Sequence, residues 1–224
     1  MRVGLLECDH VDERFRRIAG DYLDMFAALF SDLDLVPYDA VGGVLPKDAD
    51  DCDAWLLTGS RYSAYDDEPW IGALSAFVRD LHSSGSPTVG ICFGHQLLAH
   101  ALGGRVEKAA NGWGVGAHAI DRSVPPAWRL LFMHQDQVVA LPDDGVVLGA
   151  TDHCPIAALQ IGRSMVGVQA HPEFTVAYER ALLDVRVERI GSAKAAVARA
   201  SLDEPTDERA AARWLVDFLG GACG

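Results

Sequence analysis

Pro87-Thr-Val-Gly-Ile-Cys-Phe-Gly-His-Gln-Leu-Leu-Ala-His-Ala-Leu102 passes from an apolar run through a glycine-flanked cysteine into a segment of helical pattern. Pro87 to Ile91 reads as a buried strand, and Gly94 to Leu102 as a helix closed by Gly103-Gly104. Gly90-Ile91-Cys92-Phe93-Gly94 at their junction has the form Gly-x-nucleophile-x-Gly. Such an elbow projects its central side chain from a strained turn, and the flanking glycines are needed because a Cβ there would clash. A thiol at this junction sits at a helix amino terminus, where the dipole and unpaired N–H groups favour thiolate. Those same N–H groups can hold an oxyanion. A free cysteine is more often a small buried apolar residue; the strand-to-helix placement argues for a nucleophile at Cys92.

Outward from the elbow, short Val-, Leu- and Ile-rich runs alternate with helical segments, the pattern of an α/β domain built on a mostly parallel sheet. Val3 to Leu6, Leu33 to Tyr38 and Ala54 to Leu57 are the earlier strands. Between the first two, Asp12 to Phe30 reads as one helix, with Phe15, Ile18, Tyr22, Met25, Phe26 and Leu29 on its apolar face. The third ends at Thr58-Gly59-Ser60, where glycine permits a sharp turn at the edge that binds ligands in such sheets. Pro69 to Leu81 is a helix opened by proline. After Arg105 the chain becomes turn-rich, with Val115 to Ile120, Leu130 to Met133, Val146 to Ala150, Ile156 to Ile161 and Met165 to Gln169 as strands, partly antiparallel. Tyr178 to Ala200 is helical in pattern, and Thr206 can cap a last helix that carries Trp214, Leu215, Phe218 and Leu219.

Composition narrows the function. The 224 residues are 50% apolar and 23% charged, enough for a real core. A formal charge of -13 disfavours nucleic acid and anionic membranes, which bind through Lys and Arg. Five scattered cysteines, Cys8, Cys52, Cys92, Cys154 and Cys223, match neither a disulfide framework nor a zinc site, and His153-Cys154 lacks companion ligands, so no metal is expected. The amino terminus meets acid too early for a signal peptide and no apolar run approaches ~18 residues. A cytoplasmic protein that does not enter membranes is the expectation.

A thiol that attacks an acyl carbon needs a base, and the base needs an orienting acceptor. His171-Pro172-Glu173 follows the last strand, and residues two apart in extended chain face the same way, so Glu173 can lie beside the His171 imidazole. Taken alone, His-Pro-Glu would be an ordinary solvated loop. The order nucleophile, histidine, acid disfavours an α/β-hydrolase, in which the acid precedes the histidine.

Val89-Gly-Ile-Cys-Phe-Gly-His-Gln96 with His171-Pro-Glu-Phe174 closely resembles the class I glutamine amidotransferases, the Cys-His-Glu family. The resemblance runs from the first strand through Phe174. It implies one flavodoxin-like domain over residues 1–224, a mostly parallel open sheet flanked by helices with a small antiparallel portion, and a helical extension from about residue 175. It implies Cys92, His171 and Glu173 as the catalytic residues, the N–H groups of Gly59 and Phe93 as the oxyanion hole, and Gln96 as a holder of the substrate's amino-acid head. His134-Gln-Asp-Gln-Val138 with Leu141-Pro142 resembles the family's His-x-Asp pocket segment, although Met133 stands where several members carry a small hydroxyl residue. His134 and Asp136 are thus expected in the pocket, or as turn residues. His95 is expected as a helix-start residue. Arg61 to Trp70 either rims the pocket or forms a solvated loop.

The chemistry implied is acyl transfer from a γ-glutamyl amide through a thioester, with no cofactor. Neither a phosphate-binding Gly-x-x-x-x-Gly-Lys-Ser/Thr nor a Ser-Gly-Gly-x-Asp-Ser loop is present, so no acceptor chemistry is visible. A stand-alone glutaminase-type amidotransferase, similar to the free-standing GMP-synthase-like members, is the leading expectation, with a possible synthase subunit taking the ammonia. A γ-glutamyl peptidase acting on γ-glutamyl peptides or glutathione-like conjugates is the alternative. A catalytically idle regulatory subunit on the same scaffold is the third, and the intact Cys, His and Glu argue against it.

Overall fold

The computed structural model describes residues 1–122 and 127–221, so Cys223 lies outside the described residues. Its strands are β1 (Arg2–Leu6), β2 (Asp34–Tyr38), β3 (Ala54–Leu57), β4 (Thr88–Ile91), β5 (Arg105–Lys108), β6 (Gly114–Arg122), β7 (Trp128–His134), β8 (Asp136–Ala140), β9 (Gly145–Ala150), β10 (Ala158–Ile161) and β11 (Met165–Val168). Its helices are α1 (Glu13–Ala19), α2 (Tyr22–Leu29), α3 (Pro69–Ser84), α4 (Phe93–Ala101), α5 (Val176–Ile190), α6 (Ser192–Ser201) and α7 (Glu208–Leu219).

Runs such as Ala54–Leu57 and Thr88–Ile91 are buried at every position because helices cover both faces of the strands. The sheet order is β2-β1-β3-β4-β11-β10-β9-β6-β7. From β2 to β11 neighbouring strands are parallel, with Val89 of β4 opposite Leu56 of β3 and Val166 of β11. Beyond β11 the sheet continues as an antiparallel arm, in which β9, β10 and β11 are neighbours in both chain and sheet. One face packs Phe26, Trp128, Leu183 and Leu215, and the other packs Trp55, Leu74, Phe77 and Phe93. This α/β architecture is the expected one.

Three local expectations change. The helix expected over Asp12 to Phe30 is two helices, because Gly20 at φ 76° ends α1 and Asp21 opens α2 with a capping box to Asp24. Ile18, expected on the apolar face, is consequently exposed. Gly191 at φ 92° likewise divides the segment from Tyr178 to Ala200 into α5 and α6. Thr206 does not cap the last helix. Asp207 is the cap residue, and the Thr206 hydroxyl donates to Glu208 at 2.7 Å. The Asp207 carboxylate instead accepts the Arg129 N–H at 2.8 Å, tying α7 to β7.

The carboxyl ends of β1, β3, β4 and β11 converge on one edge, the place where open α/β sheets bind ligands. They deliver the chain into Glu7 to His10, Thr58 to Arg61, Cys92 and Gln169 to Glu173. Among the described residues, no helix is long and apolar enough to cross a membrane.

Candidate active site

Cys92 leaves β4 at φ 52°, the only non-glycine residue with a positive φ among those described, and caps α4. The flanking glycines are sterically fixed. A Cβ on Gly90 would stand 2.5 Å from the backbone carbon of Gly94, and one on Gly94 would stand 2.7 Å from Leu57. The Cys92 N–H donates to Val168 at 2.8 Å and the Gly94 N–H to Thr58 at 3.2 Å, so the strands on either side hold the turn. Backbone held this way in a sparsely populated region costs about 1–3 kcal/mol and persists only when its surroundings enforce it.

Gln169, His171 and Glu173 follow β11 through a bend and then a turn, in place of the expected extended chain. The Phe174 N–H donates to the His171 carbonyl at 3.3 Å and closes the turn. Gln169 meets the elbow and Glu173 meets His171. The Gln169 amide donates to the Cys92 sulfur at 3.5 Å. His171 Nδ1 lies 2.7 Å from Glu173 Oε1, and the imidazole is near enough to Cys92 to interact with it electrostatically. With Nδ1 committed to Glu173, Nε2 is the nitrogen that faces the thiol. Burial alone would lower the His171 pKa, but Cys92 and then Glu173 outweigh it and raise it to about 10. Phe174 stacks on the imidazole at 3.9 Å and the His171 N–H donates to Leu131 at 2.8 Å, which removes the ring's freedom to swing away.

Gly59 touches this assembly from the other side: a Cβ there would approach His171 Cε1 to 2.8 Å. The loop that carries it is tied to the end of β1. The Cys8 N–H donates to the Thr58 hydroxyl at 2.9 Å, which donates to the Gly59 carbonyl at 3.0 Å. Asp9, buried, accepts from the Arg61 N–H at 2.9 Å and from its guanidinium at 2.8 Å. Phe93 opens α4, so its N–H has no carbonyl within the helix to bond.

Gln96, His134 and Asp136 form the floor. Gln96 donates to the Asp136 carbonyl at 2.7 Å and to Gln169 at 3.0 Å. His134 and Asp136 lie where β7 gives way to β8, so the expected pocket segment is a strand kink and not a turn. His134 Nδ1 lies 2.9 Å from the Asp136 carbonyl, and burial drives its pKa down to about 3, keeping the ring neutral. Asp136 accepts from the Ser63 hydroxyl at 2.5 Å through one oxygen, while its other oxygen is buried without a hydrogen-bond partner among the described residues. A cavity of about 370 Å³ opens above these groups, lined by Cys92, Gln96, His134, Asp136 and His171 together with Arg61, Tyr62 and Ser63. Arg61 to Ser63 therefore rim the pocket, whereas Trp70 packs on Phe93 at 5.5 Å. His95 is buried against Gly167, remote from any role as a base. Among the described residues no group of three or more His, Cys, Asp or Glu could hold a metal ion.

The sequence model described as "Glutamine amidotransferase class-I" matches residues 22–185. The chain belongs to that family. Class I amidotransferase relatives include "Gamma-glutamyl peptidase 5" of Arabidopsis thaliana, 28% identical over 177 residues, covering 71% of this chain and 70% of that protein. A "GMP synthase [glutamine-hydrolyzing]" of Thermomicrobium roseum is 36% identical over 151 residues, but those cover 62% of this chain and 26% of the synthase. A solved glutamine amidotransferase from Methylobacillus flagellatus superposes with a TM-score of 0.76 at 22% identity over 98% of this chain and 92% of that one. One from Thermotoga maritima superposes at 0.74 and 19%, over 99% and 97%. These two share the amidotransferase fold.

Gln169 and Asp9 are site residues that the sequence reading missed, whereas Ser63 falls within the Arg61 to Trp70 stretch offered as a pocket rim. The two-residue spacing of His171 and Glu173 extends back to Gln169, so that signal was present. Asp9 reaches the site through a contact 52 residues away in the chain, which no local pattern marks.

Proposed function

We propose that this amidotransferase-family chain is a cysteine hydrolase that cleaves γ-glutamyl amides through a thioester. The observation that carries the reading is Cys92, held at a strained elbow against the His171–Glu173 pair, opening into the cavity floored by Gln96 and Asp136. Cys92 sulfur attacks the side-chain amide carbon, and the carbonyl oxygen becomes an oxyanion. The N–H groups of Phe93 and Gly59 receive that charge, at about 3 kcal/mol per donor. His171 gives its proton to the departing nitrogen, the C–N bond breaks, and a thioester remains. Water deprotonated by His171 then attacks the thioester, releasing glutamate and restoring the thiol. Glu173 orients the imidazole and stabilises its charge. Asp136, which lines the cavity beside Gln96, supplies negative charge on the side where the α-ammonium of the glutamyl head would lie.

The departing nitrogen is either ammonia or the amine of a peptide. Peptidase action is supported by relatives named γ-glutamyl peptidases that align along 70% and 75% of their own length. Delivery of ammonia to a synthase subunit is supported by the GMP synthases, whose match is a quarter of a longer chain. The four described cysteines are free thiols, which suits a reducing cytoplasm.

Glutamate release from glutamine and from γ-glutamyl peptides, measured with the wild type and Cys92→Ala, tests the reading. Turnover in the wild type and none above background in Cys92→Ala is expected. Activity retained in a folded Cys92→Ala would overturn the nucleophile assignment.

A further inference from the structure

The wall of the cavity on the His171 side is one face of α5. His171 stacks on Phe174, Phe174 meets Tyr178 edge-on at 4.7 Å, and Tyr178, Leu182, Val185, Arg186 and Arg189 then follow at helical spacing, all lining the cavity. The stripe turns from apolar to basic as it leaves the catalytic residues. Arg189 lies over the ring of Trp113, another lining residue, at 5.5 Å. Among the described residues neither Arg186 nor Arg189 forms an ion pair, whereas Arg180 on the same helix pairs with Asp203 and Arg199 on α6 pairs with Asp184. Arg14 and Arg61, which also line the cavity, are already paired with Asp12 and Asp9. Glu179, beneath Arg186, offers no counter-charge at neutral pH, since burial raises its pKa to about 8. In a chain of net charge -13, two guanidinium groups without an ion pair among the described residues, on one wall of one cavity, are available to an anionic ligand.

The side they occupy is set by the chemistry. The departing nitrogen must lie beside His171 to take its proton, so whatever that nitrogen carries extends past Phe174 and Tyr178 along α5. We infer that Arg186 and Arg189 bind an anionic leaving group, and that the substrates are γ-glutamyl peptides bearing a free carboxylate on the departing side. Guanidinium groups suit a carboxylate because two parallel N–H donors match its two oxygens. Val185, 46% exposed in the same wall, gives the departing side chain an apolar contact. The inference rests on the γ-glutamyl reading above and narrows it.

The test compares γ-glutamylcysteinylglycine with its C-terminal amide, which differ only in the terminal charge and carry it far enough along α5 to meet Arg186 and Arg189. The wild type is expected to favour the acid by about tenfold in kcat/KM, mostly through KM, and less as salt is raised. Arg186→Gln with Arg189→Gln brings the ratio to about one, and Arg189→Gln alone gives an intermediate value. Arg180→Gln, paired outside the cavity, keeps the wild-type ratio. Thermal melts establish that each variant is folded. Equal use of acid and amide by the wild type, or a preference that survives in the double variant, overturns the inference while leaving γ-glutamyl hydrolysis intact. No cleavage of these peptides or of glutamine by the wild type overturns both.

Discussion

Cys8 and Cys92 both follow buried strands of the parallel set, at 0% and 5% exposure, yet they are different chemical groups. Cys8 continues the line of β1, and its thiol donates to the Leu6 carbonyl at 3.4 Å. Burial pushes it up to about 12, and the Thr58 hydrogen bonds that oppose the rise do not offset it. Cys92 is turned out of line at φ 52° and set on the first turn of a nine-residue helix, with Gln169 and His171 as partners and a cavity in front. Burial alone makes a thiol inert; a reactive one needs hydrogen-bond donors, a cation beside it and an opening.

The largest effect expected from that contrast is in alkylation. Native protein treated with iodoacetamide should be modified at Cys92 at least ~100-fold faster than at Cys8, because burial keeps Cys8 protonated while Cys92 lines an open cavity. Modification of Cys92 should remove turnover by ~1000-fold or more, as loss of a nucleophile does, while Cys8→Ala retains it. Mass spectrometry of the two peptides at increasing times, with activity followed in parallel, makes the comparison. Modification of Cys8 first, or turnover persisting after full modification of Cys92, would break it.

The same contrast explains what the sequence could and could not announce. The elbow is legible because its contacts are local: Gly90 and Gly94 are dictated by atoms within the turn and by the adjoining strand. His171 and Glu173 are legible because they stand two residues apart, although a turn and not an extended chain brings their side chains together. The anchoring of the Gly59 loop by Asp9 and Arg61, the kink from β7 into β8, and the basic stripe of α5 are products of tertiary placement. A carboxylate beside an arginine 52 residues later carries no local mark. The arginines of α5 lie in a segment marked only as helical, and the cavity alone shows where Arg186 and Arg189 stand. The helix breaks at Gly20 and Gly191 are marked by glycine, but helical pattern on both sides conceals the interruption.

Glu173 sharpens the comparison from the side of the base. His171 is raised by Cys92 and by Glu173 against the pull of burial, so Glu173→Gln takes away one of its two supports. Loss of that charge lowers the pH at which the imidazolium gives up its proton, and the alkaline limb of the kcat/KM profile should move to lower pH. The rate at the optimum should fall by about 10–100-fold, less than for loss of the nucleophile, because orientation is weakened while base and thiol stay in place. Profiles of both proteins between pH 6 and 10.5 decide it. An alkaline limb unmoved in Glu173→Gln would mean that Cys92 alone sustains the raised pKa of His171.

Two buried glutamates repeat the lesson of the two thiols, and the second gives the smallest effect, one on stability. Glu173 has a hydrogen-bonded imidazole at 2.7 Å. Glu179 has the Gly116 N–H at 3.3 Å, one oxygen without a hydrogen-bond partner among the described residues, and a pKa raised from 4.5 to about 8 by burial. Between those two values the unfolded chain has released the proton that the native chain still holds, so Glu179 makes wild-type stability fall as pH rises from 4.5 to 8, with no further loss above that. Gln has no such proton. Glu179→Gln should therefore gain on the wild type by on the order of 2 kcal/mol when the comparison moves from pH 5 to pH 8.5. His171, itself raised, contributes stability that is full below pH 6.5 and is lost as pH climbs to about 10; it is present in both proteins, and its attraction to an ionised Glu179 is part of the difference measured. Urea unfolding of the two proteins at both pH values measures that difference. A gap independent of pH would mean that Glu179 is ionised in the native protein, and then Arg186 would have a charged carboxylate nearby and less need of an anion from the substrate.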